Sequence, residues 1–341
     1  MDQKIARIVN VEWIAQELQQ KFETTGPLIE VVVDIVPKTI QVKKEAYKPS
    51  HYLIIQGSFD PPTSSHINLI SKAIYLHSKL YASNKIKVLL LLSLSHVDKR
   101  IDVLNRSLLG YRVEMLENLY SSLKIKTPIS IGLSNVARYI DLIDAIRQFF
   151  PKIEKLSFVM GMDVFKKLLD ASYYSKPVEE VLHLIFRANY YIAGRRDVFS
   201  KKEFDTFLNK HLHQKYHQYV HFLSLSKSYR FLNATSIREK YSNDQPIQEL
   251  YTHSTIIKYL KKNNIYRLTP KWIATKIAIH LVVQLTLESG KDQIIAIKIL
   301  RQLLPEIERK PDLQQQLIND YKSKKTEEIS KRWNQLINLI S

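Results

Sequence analysis

The sequence predicts an α/β protein: a parallel sheet flanked by helices, with a small α+β addition before it and an all-helical region after it. Three observations carry this reading. Between His51 and Arg267 short apolar runs alternate with amphipathic stretches, the pattern of βα units building a parallel sheet. Residues 1–50 combine one helical pattern with two strand-like runs, and from Thr269 onward only helical periodicity remains. The divisions expected from these shifts are 1–50, 51–268 and 269–341.

In chain order, Ile5, Ile8, Val9, Trp13, Ile14 and Leu18 recur at helical spacing, and the runs IEVVVDIV and TIQV follow before Lys48 and Pro49 break the pattern. The strands of the α/β region are then HYLIIQ, IKVLLLL, ISIGL, LSFVMG, NYYIAG and YVHFLSL. Between them INLISKAIYLHSKL, SLLGYRVEMLENLY, RYIDLIDAIRQFF and PVEEVLHL read as helices. Ligands of an open parallel sheet bind at the carboxyl ends of its strands, so the loops after these runs are where chemistry is expected. The final region holds the apolar stretches WIATKIAIHLVVQLTL and IIAIKILRQLLPEI and no catalytic motif. A small bundle that covers the main domain or forms a homo-oligomer contact is its expected role.

The 341 residues are 45% hydrophobic and 25% charged, enough for a sizeable core. With no cysteine, disulfides, zinc ribbons and thiol nucleophiles are excluded; this fits a reducing compartment, with the cytoplasm expected and the nucleus left open as the alternative. The N-terminus lacks a secretory pattern, and the longest apolar run, residues 88–92 with Leu94, falls far below the roughly 20 residues that cross a bilayer, so no membrane is expected. The formal net charge of +18 favours polyanions. Basic residues are spread along the chain rather than gathered in a tail or an aromatic-interleaved stripe, so a lysine-rich solvated surface is expected and a nucleic-acid module is not.

Candidate chemistry falls at strand ends. Gly57-Ser58-Phe59-Asp60-Pro61-Pro62-Thr63-Ser64-Ser65-His66 follows the first strand of the α/β region and precedes a helix, the order an anion site requires. Gly57 lets a phosphate approach the backbone, and the N–H groups of Ser58 and Phe59 can donate to it. Ser64 or Ser65 is the expected helix cap, which puts His66 in the first turn, where a phosphate oxygen can be held by a charge-assisted hydrogen bond. A second segment, Asn233-Ala234-Thr235-Ser236-Ile237-Arg238, also follows a strand and opens a helix; Thr235 and Ser236 offer donors there and Arg238 a fixed cation. A third, Gly161-Met162-Asp163, ends the strand LSFVM, and the loop 95–100 brings His96, Lys99 and Arg100 after the second strand. Each alone has a plain structural alternative: a packed histidine, a cap with a surface arginine, an N-cap aspartate.

Together the segments resemble the nucleotidylyltransferase superfamily, in particular the nicotinamide and nicotinate mononucleotide adenylyltransferases. GSFDPPTSSH is similar to the GxFDPxHxGH signature, with Thr63 where many members carry histidine and Ser65 where most carry glycine. NATSIR resembles the family's ISSTxIR motif, GMD its G-x-D, GYRVEML its arginine-bearing helix start at Arg112, and STIIKYLKKNNIYRL its closing helix. Ser226-Lys227-Ser228 resembles the lysine loop of class I aminoacyl-tRNA synthetases. The likeness runs through 51–268 in family order and covers neither flank; SNVARYIDLIDAI holds no counterpart of the SYT-like stretch many bacterial members place near the pyridine ring.

The resemblance implies a Rossmann-like nucleotidylyltransferase domain that joins nicotinamide or nicotinate mononucleotide to the AMP moiety of ATP, releasing pyrophosphate. In that scheme His66, Lys99 and Arg238 face the triphosphate and the charge developing on pyrophosphate, with Thr63, Thr235 and Ser236 assisting. Gly57, Ser58 and Phe59 line the phosphates, and Gly161 and Asp163 hold adenosine. The mononucleotide phosphate is already a competent nucleophile, so catalysis is positional and electrostatic. Magnesium carried with ATP keeps several waters and needs few protein ligands, which agrees with a sequence lacking a carboxylate cluster. Two alternatives stand beside this reading: a superfamily member with another phosphate acceptor, and a nucleotide- or RNA-binding regulatory protein that has kept the fold and lost turnover. His66 and Arg238 speak against the second, the charge of +18 for it.

Overall fold

The computed structural model describes residues 2–37, 49–82, 85–94, 107–123, 125–136, 138–170, 172, 174, 176–194, 200–230 and 232–322. The run TIQV and the loop carrying His96, Lys99 and Arg100 lie outside them.

The chain opens with α1 (Asp2–Thr25) and β1 (Ile29–Ile35), the α+β addition. Strands and helices then alternate: β2 (His51–Gly57), α2 (Ser64–Tyr81), β3 (Ile86–Ser93), α3 (Leu109–Ser122), β4 (Ile129–Ser134), α4 (Tyr139–Phe149), β5 (Lys155–Gly161), α5 (Met162–Leu168), α6 (Val178–Ile185), β6 (Asn189–Ala193), α7 (Lys201–His211) and β7 (Val220–Leu223). Helices α8 (Lys227–Arg230), α9 (Ala234–Ser242) and α10 (Ser254–Asn263) follow. The C-terminal helical region is α11 (Pro270–Glu288), α12 (Gln293–Arg309) and α13 (Pro311–Lys322).

Among the described residues seven strands form one sheet in the order β1-β4-β3-β2-β5-β6-β7. Strands β2 to β7 run parallel, and β1 adds to the β4 edge antiparallel. Leaving β1 aside, this is the order 3-2-1-4-5-6 of a doubly wound sheet. The strands read as near-continuous apolar runs because both faces are covered. Leu53 and Ile55 of β2 enter a core with α1, α2, α3, α9 and α10, while Tyr52 and Ile54 enter a second core with α4, α5, α6 and α7.

The C-terminal helices cover the addition and the start of α3. Ile8, Val9 and Leu108 share a third core with Ala278, Val282, Ile299 and Leu300. Helix α1 approaches α3 so closely at Gly110 that a Cβ there would stand 2.7 Å from the Ile8 Cα, which only glycine avoids. No helix among the described residues is long and apolar enough to cross a membrane.

Candidate functional site

The sheet parts at its centre. Successive strands are added on one side of β2 (β3, β4) and then on the other (β5, β6, β7), so the topological switch point lies between β2 and β5. Their ladder ends at Ile54↔Phe158, leaving 55–57 and 159–161 unpaired with each other, although β2 stays paired to β3 through Gly57↔Leu92 and β5 to β6 through Gly161↔Ala193. The carboxyl ends of β2 and β5 thus flank a crevice, with the first and third motif segments on its two sides.

The first loop is shaped by its own residues. Phe59 takes φ 46°, a left-handed conformation that costs a non-glycine residue about 1–3 kcal/mol. Burial of its ring offsets that cost: Phe59 is buried, its ring closes over Gly57 at 3.4 Å from where a Cβ would stand, and it lies 5.0 Å from the His66 ring centroid. The helix cap is Thr63, not Ser64 or Ser65 as the sequence suggested. Thr63 alone is extended (φ −115°, ψ 162°) and closes a capping box with His66: its hydroxyl accepts from the His66 N–H at 3.4 Å, and His66 Nδ1 accepts from the Thr63 N–H at 2.9 Å. This has a chemical consequence. With Nδ1 occupied as an acceptor, the neutral ring carries its proton on Nε2 and presents a donor there. Thr63 is buried and its hydroxyl serves the cap, so it acts on the site through the orientation of His66.

The second segment folds against the first. Asn233 caps α9, its side-chain oxygen accepting from the Ser236 N–H at 2.8 Å and the Ser236 hydroxyl at 3.0 Å. Both donors of Ser236 are therefore turned into the cap, contrary to the open donors the sequence suggested. Arg238, one turn on, donates from one nitrogen to the Thr235 hydroxyl at 3.1 Å and from the other to the carbonyl oxygen of Asp60, 178 residues away. The two segments are joined at that bond.

Asp60 is the residue that sequence reasoning left without a role. Its carboxylate is fully buried: Oδ1 accepts from the Tyr266 hydroxyl at 2.6 Å and from the hydroxyl and N–H of Ser107, and Oδ2 faces the Arg112 guanidinium at 3.6 Å. Burial first, then the Asp60 charge and hydrogen bond, hold the Tyr266 hydroxyl well above the ordinary phenol range. Arg112 also donates to the Ser107 carbonyl at 3.0 Å and is itself buried, so its guanidinium ties Ser107 to the Asp60 carboxylate. An apolar-looking loop with an aspartate between Phe59 and Pro61, and a tyrosine in the closing NIYRL, was the available signal.

Across the crevice Gly161, rather than Asp163, is the N-cap of α5, in extended conformation and without a side-chain cap. Asp163 follows in the first turn; its Oδ1 is buried and has no hydrogen-bond partner among the described residues. Its charge adds to burial in pushing the hydroxyl of Tyr139 up, which sets Asp163 beside the start of α4. The structure thus gathers Gly57, Phe59, Thr63, His66, Thr235, Ser236 and Arg238 around the first loop, with Ser58 half-buried within it. Gly161 and Asp163 stand opposite, and Lys99 lies outside the described residues. No cluster of three or more metal-ligating side chains occurs among the described residues.

No family model matches the chain, and no curated protein does. Among solved structures it is similar to the nicotinic acid mononucleotide adenylyltransferase of Plasmodium falciparum complexed with APC, at 17% identity and a TM-score of 0.47, over 64% of this chain and 98% of that one. It is also similar to a candidate nicotinate-nucleotide adenylyltransferase of Vibrio parahaemolyticus, at 18% identity and a TM-score of 0.37, over 64% of this chain and 97% of that one.

Proposed function

We propose that this chain is an adenylyltransferase that joins nicotinamide or nicotinate mononucleotide to ATP. The supporting observation is the bond from Arg238 to the Asp60 carbonyl, which draws the donor-rich first segment and the cation of the second to one side of the switch-point crevice while an unpartnered carboxylate oxygen of Asp163 waits on the other. In this reading an oxygen of the mononucleotide phosphate attacks the α-phosphorus of MgATP. The new P–O bond forms as the bond from the α-phosphorus to the bridging oxygen breaks, and pyrophosphate leaves with the electron pair.

The chain's task is to hold two polyanions together against their repulsion. His66 donates from Nε2 to a phosphate oxygen, and the remaining N–H groups of Arg238, with Lys99, face the charge that builds on pyrophosphate. Gly57 leaves room for the phosphates beside the Ser58 and Phe59 amides. Asp163 accepts from ribose hydroxyls next to Gly161, which satisfies its orphaned oxygen. Thr63, Thr235 and Ser236 position His66 and Arg238. The magnesium is a passenger of ATP. Catalysis belongs to 51–268.

Pyrophosphate release from ATP and a panel of phosphate acceptors tests this. Turnover is expected with both pyridine mononucleotides, with kcat/KM values within about tenfold, since neither acid nor amide is favoured by a wet pocket. Turnover with phosphocholine, glycerol phosphate or pantetheine phosphate alone, or with no acceptor, overturns the proposal.

A further inference from the structure

Helix α3 does not cap itself. Its N-cap residue is Leu108, whose side chain offers no acceptor, and its first turn carries no acidic residue. Ser107, the polar side chain next to this start, is committed elsewhere: its hydroxyl and its N–H both donate to Asp60 Oδ1. The acceptor comes from α1. Glu12 is buried, and its Oε1 accepts from the Gly110 N–H at 3.0 Å across 98 residues, with the Leu109 N–H facing the same carboxylate. A helix leaves its first N–H groups without internal partners and carries partial positive charge there, and a carboxylate at this place satisfies both.

The contact is held from two sides. Glu12 sits one turn after Ile8, whose Cα stands 2.7 Å from where a Gly110 Cβ would be, so α1 and α3 meet backbone to backbone. From the other side α11 and α12 pack on α1 through Ile8 and Val9, and the Gln16 amide donates to the His280 carbonyl at 3.3 Å. The cap fixes where α3 starts, and that start places Arg112. Arg112 donates to the Ser107 carbonyl at 3.0 and 2.6 Å and to its hydroxyl at 3.3 Å, and faces Asp60 Oδ2 at 3.6 Å. Asp60 in turn offers its carbonyl oxygen to Arg238.

We propose that Glu12 is a positioning residue for Arg238, acting through the start of α3, Arg112 with Ser107, and Asp60. Without Glu12 the Ser107 hydroxyl is the nearest replacement cap for α3, and in turning to that task it leaves Asp60. The loop that carries the Asp60 carbonyl then shifts, and Arg238 with it. The two flanks outside 51–268 thereby brace the site. This role rests on the adenylyltransferase reading, in which Arg238 serves the triphosphate.

Steady-state kinetics of the full chain, with ATP and mononucleotide varied in turn, tests it. Glu12→Ala should raise the KM for ATP about tenfold and leave the mononucleotide KM within about twofold, and Glu12→Gln, which keeps the acceptor, should return the ATP value to within about threefold of wild type. In an Arg238→Ala background Glu12→Ala should change the ATP KM by less than about twofold, because the arginine it positions is gone, whereas a purely structural role gives independent losses. If Glu12→Ala does not fold, Glu12→Asp, whose shorter side chain draws back from Gly110 and keeps the charge, should show the same split. Amide hydrogen exchange needs no substrate and so separates this proposal from the adenylyltransferase reading: Glu12→Ala should speed exchange in 57–66 and 234–242 by about fivefold or more and leave α4, on the opposite face of the sheet, unchanged. A wild-type chain that turns over neither mononucleotide refutes the adenylyltransferase reading alone, and the exchange result then decides this one. An unchanged ATP KM, equal rises in both KM values, no rescue by Glu12→Gln, additivity with Arg238→Ala, or exchange unaltered in 57–66 or equally faster in α4 overturns the proposal.

Discussion

Tyr266→Phe deletes a single hydroxyl at the buried junction of the first loop. In the native protein that hydroxyl donates to Asp60 Oδ1 at 2.6 Å, with both residues buried. A hydrogen bond to a charged group contributes about 1.5–3 kcal/mol, against about 1 kcal/mol for a neutral pair. Ser107 continues to donate to the same oxygen, so the carboxylate is not left bare and the lower part of the range applies, about 2 kcal/mol. The internal control is Tyr241→Phe, whose buried hydroxyl donates at 2.8 Å to the uncharged Leu260 carbonyl and should cost about 1 kcal/mol. Urea unfolding of both variants at one pH compares the two losses directly. A cycle with Ser107→Ala should show coupling of about 0.5 kcal/mol or more, since both donors share one acceptor. If Tyr266→Phe costs no more than Tyr241→Phe, Asp60 is not the charged anchor of the loop.

His66→Ala should leave far-ultraviolet circular dichroism unchanged and lower kcat/KM for adenylyl transfer by about a hundredfold to ten-thousandfold; near wild-type turnover would remove His66 from the site. Arg238→Ala should impair use of ATP more than use of the mononucleotide, read by varying each substrate in turn, and a rise confined to the mononucleotide KM would exchange the roles of the two segments. Glu12 gives a pH signature in stability. Its folded pKa, about 6, stands above the unfolded value of about 4.3, so the native state binds the extra proton and stability falls as pH rises between those values, by about 2 kcal/mol. Glu12→Gln keeps an acceptor for Gly110 and should flatten that decline in urea unfolding measured from about pH 4 to pH 7. An unchanged slope would mean that Glu12 titrates as in solvent.

The amino-acid sequence by itself determined the succession of elements. Six apolar runs became β2 to β7, and the amphipathic stretches between them became helices, because strand and helix periodicity and the breaks between them are properties of contiguous residues. It also placed GSFDPPTSSH and GMD at strand ends, since that too is a matter of neighbours along the chain, whereas NATSIR opens a helix but is parted from β7 (Val220–Leu223) by α8 (Lys227–Arg230). The choice of cap was less legible. Thr63, Ser64 and Ser65 offer the same hydroxyl chemistry, and the backbone course imposed by the buried Phe59, together with the return bond from His66, selected Thr63. Only the tertiary structure decided that β1 runs antiparallel beside β4, that Asp60 is buried among Ser107, Arg112 and Tyr266, and that Arg238 reaches its carbonyl. These contacts span tens to hundreds of residues, and each depends on the order in which strands enter the sheet, which no local pattern encodes. The crevice has the same origin: β2 and β5 part after Ile54 and Phe158 because their crossovers run to opposite sides, a relation between elements rather than a property of either.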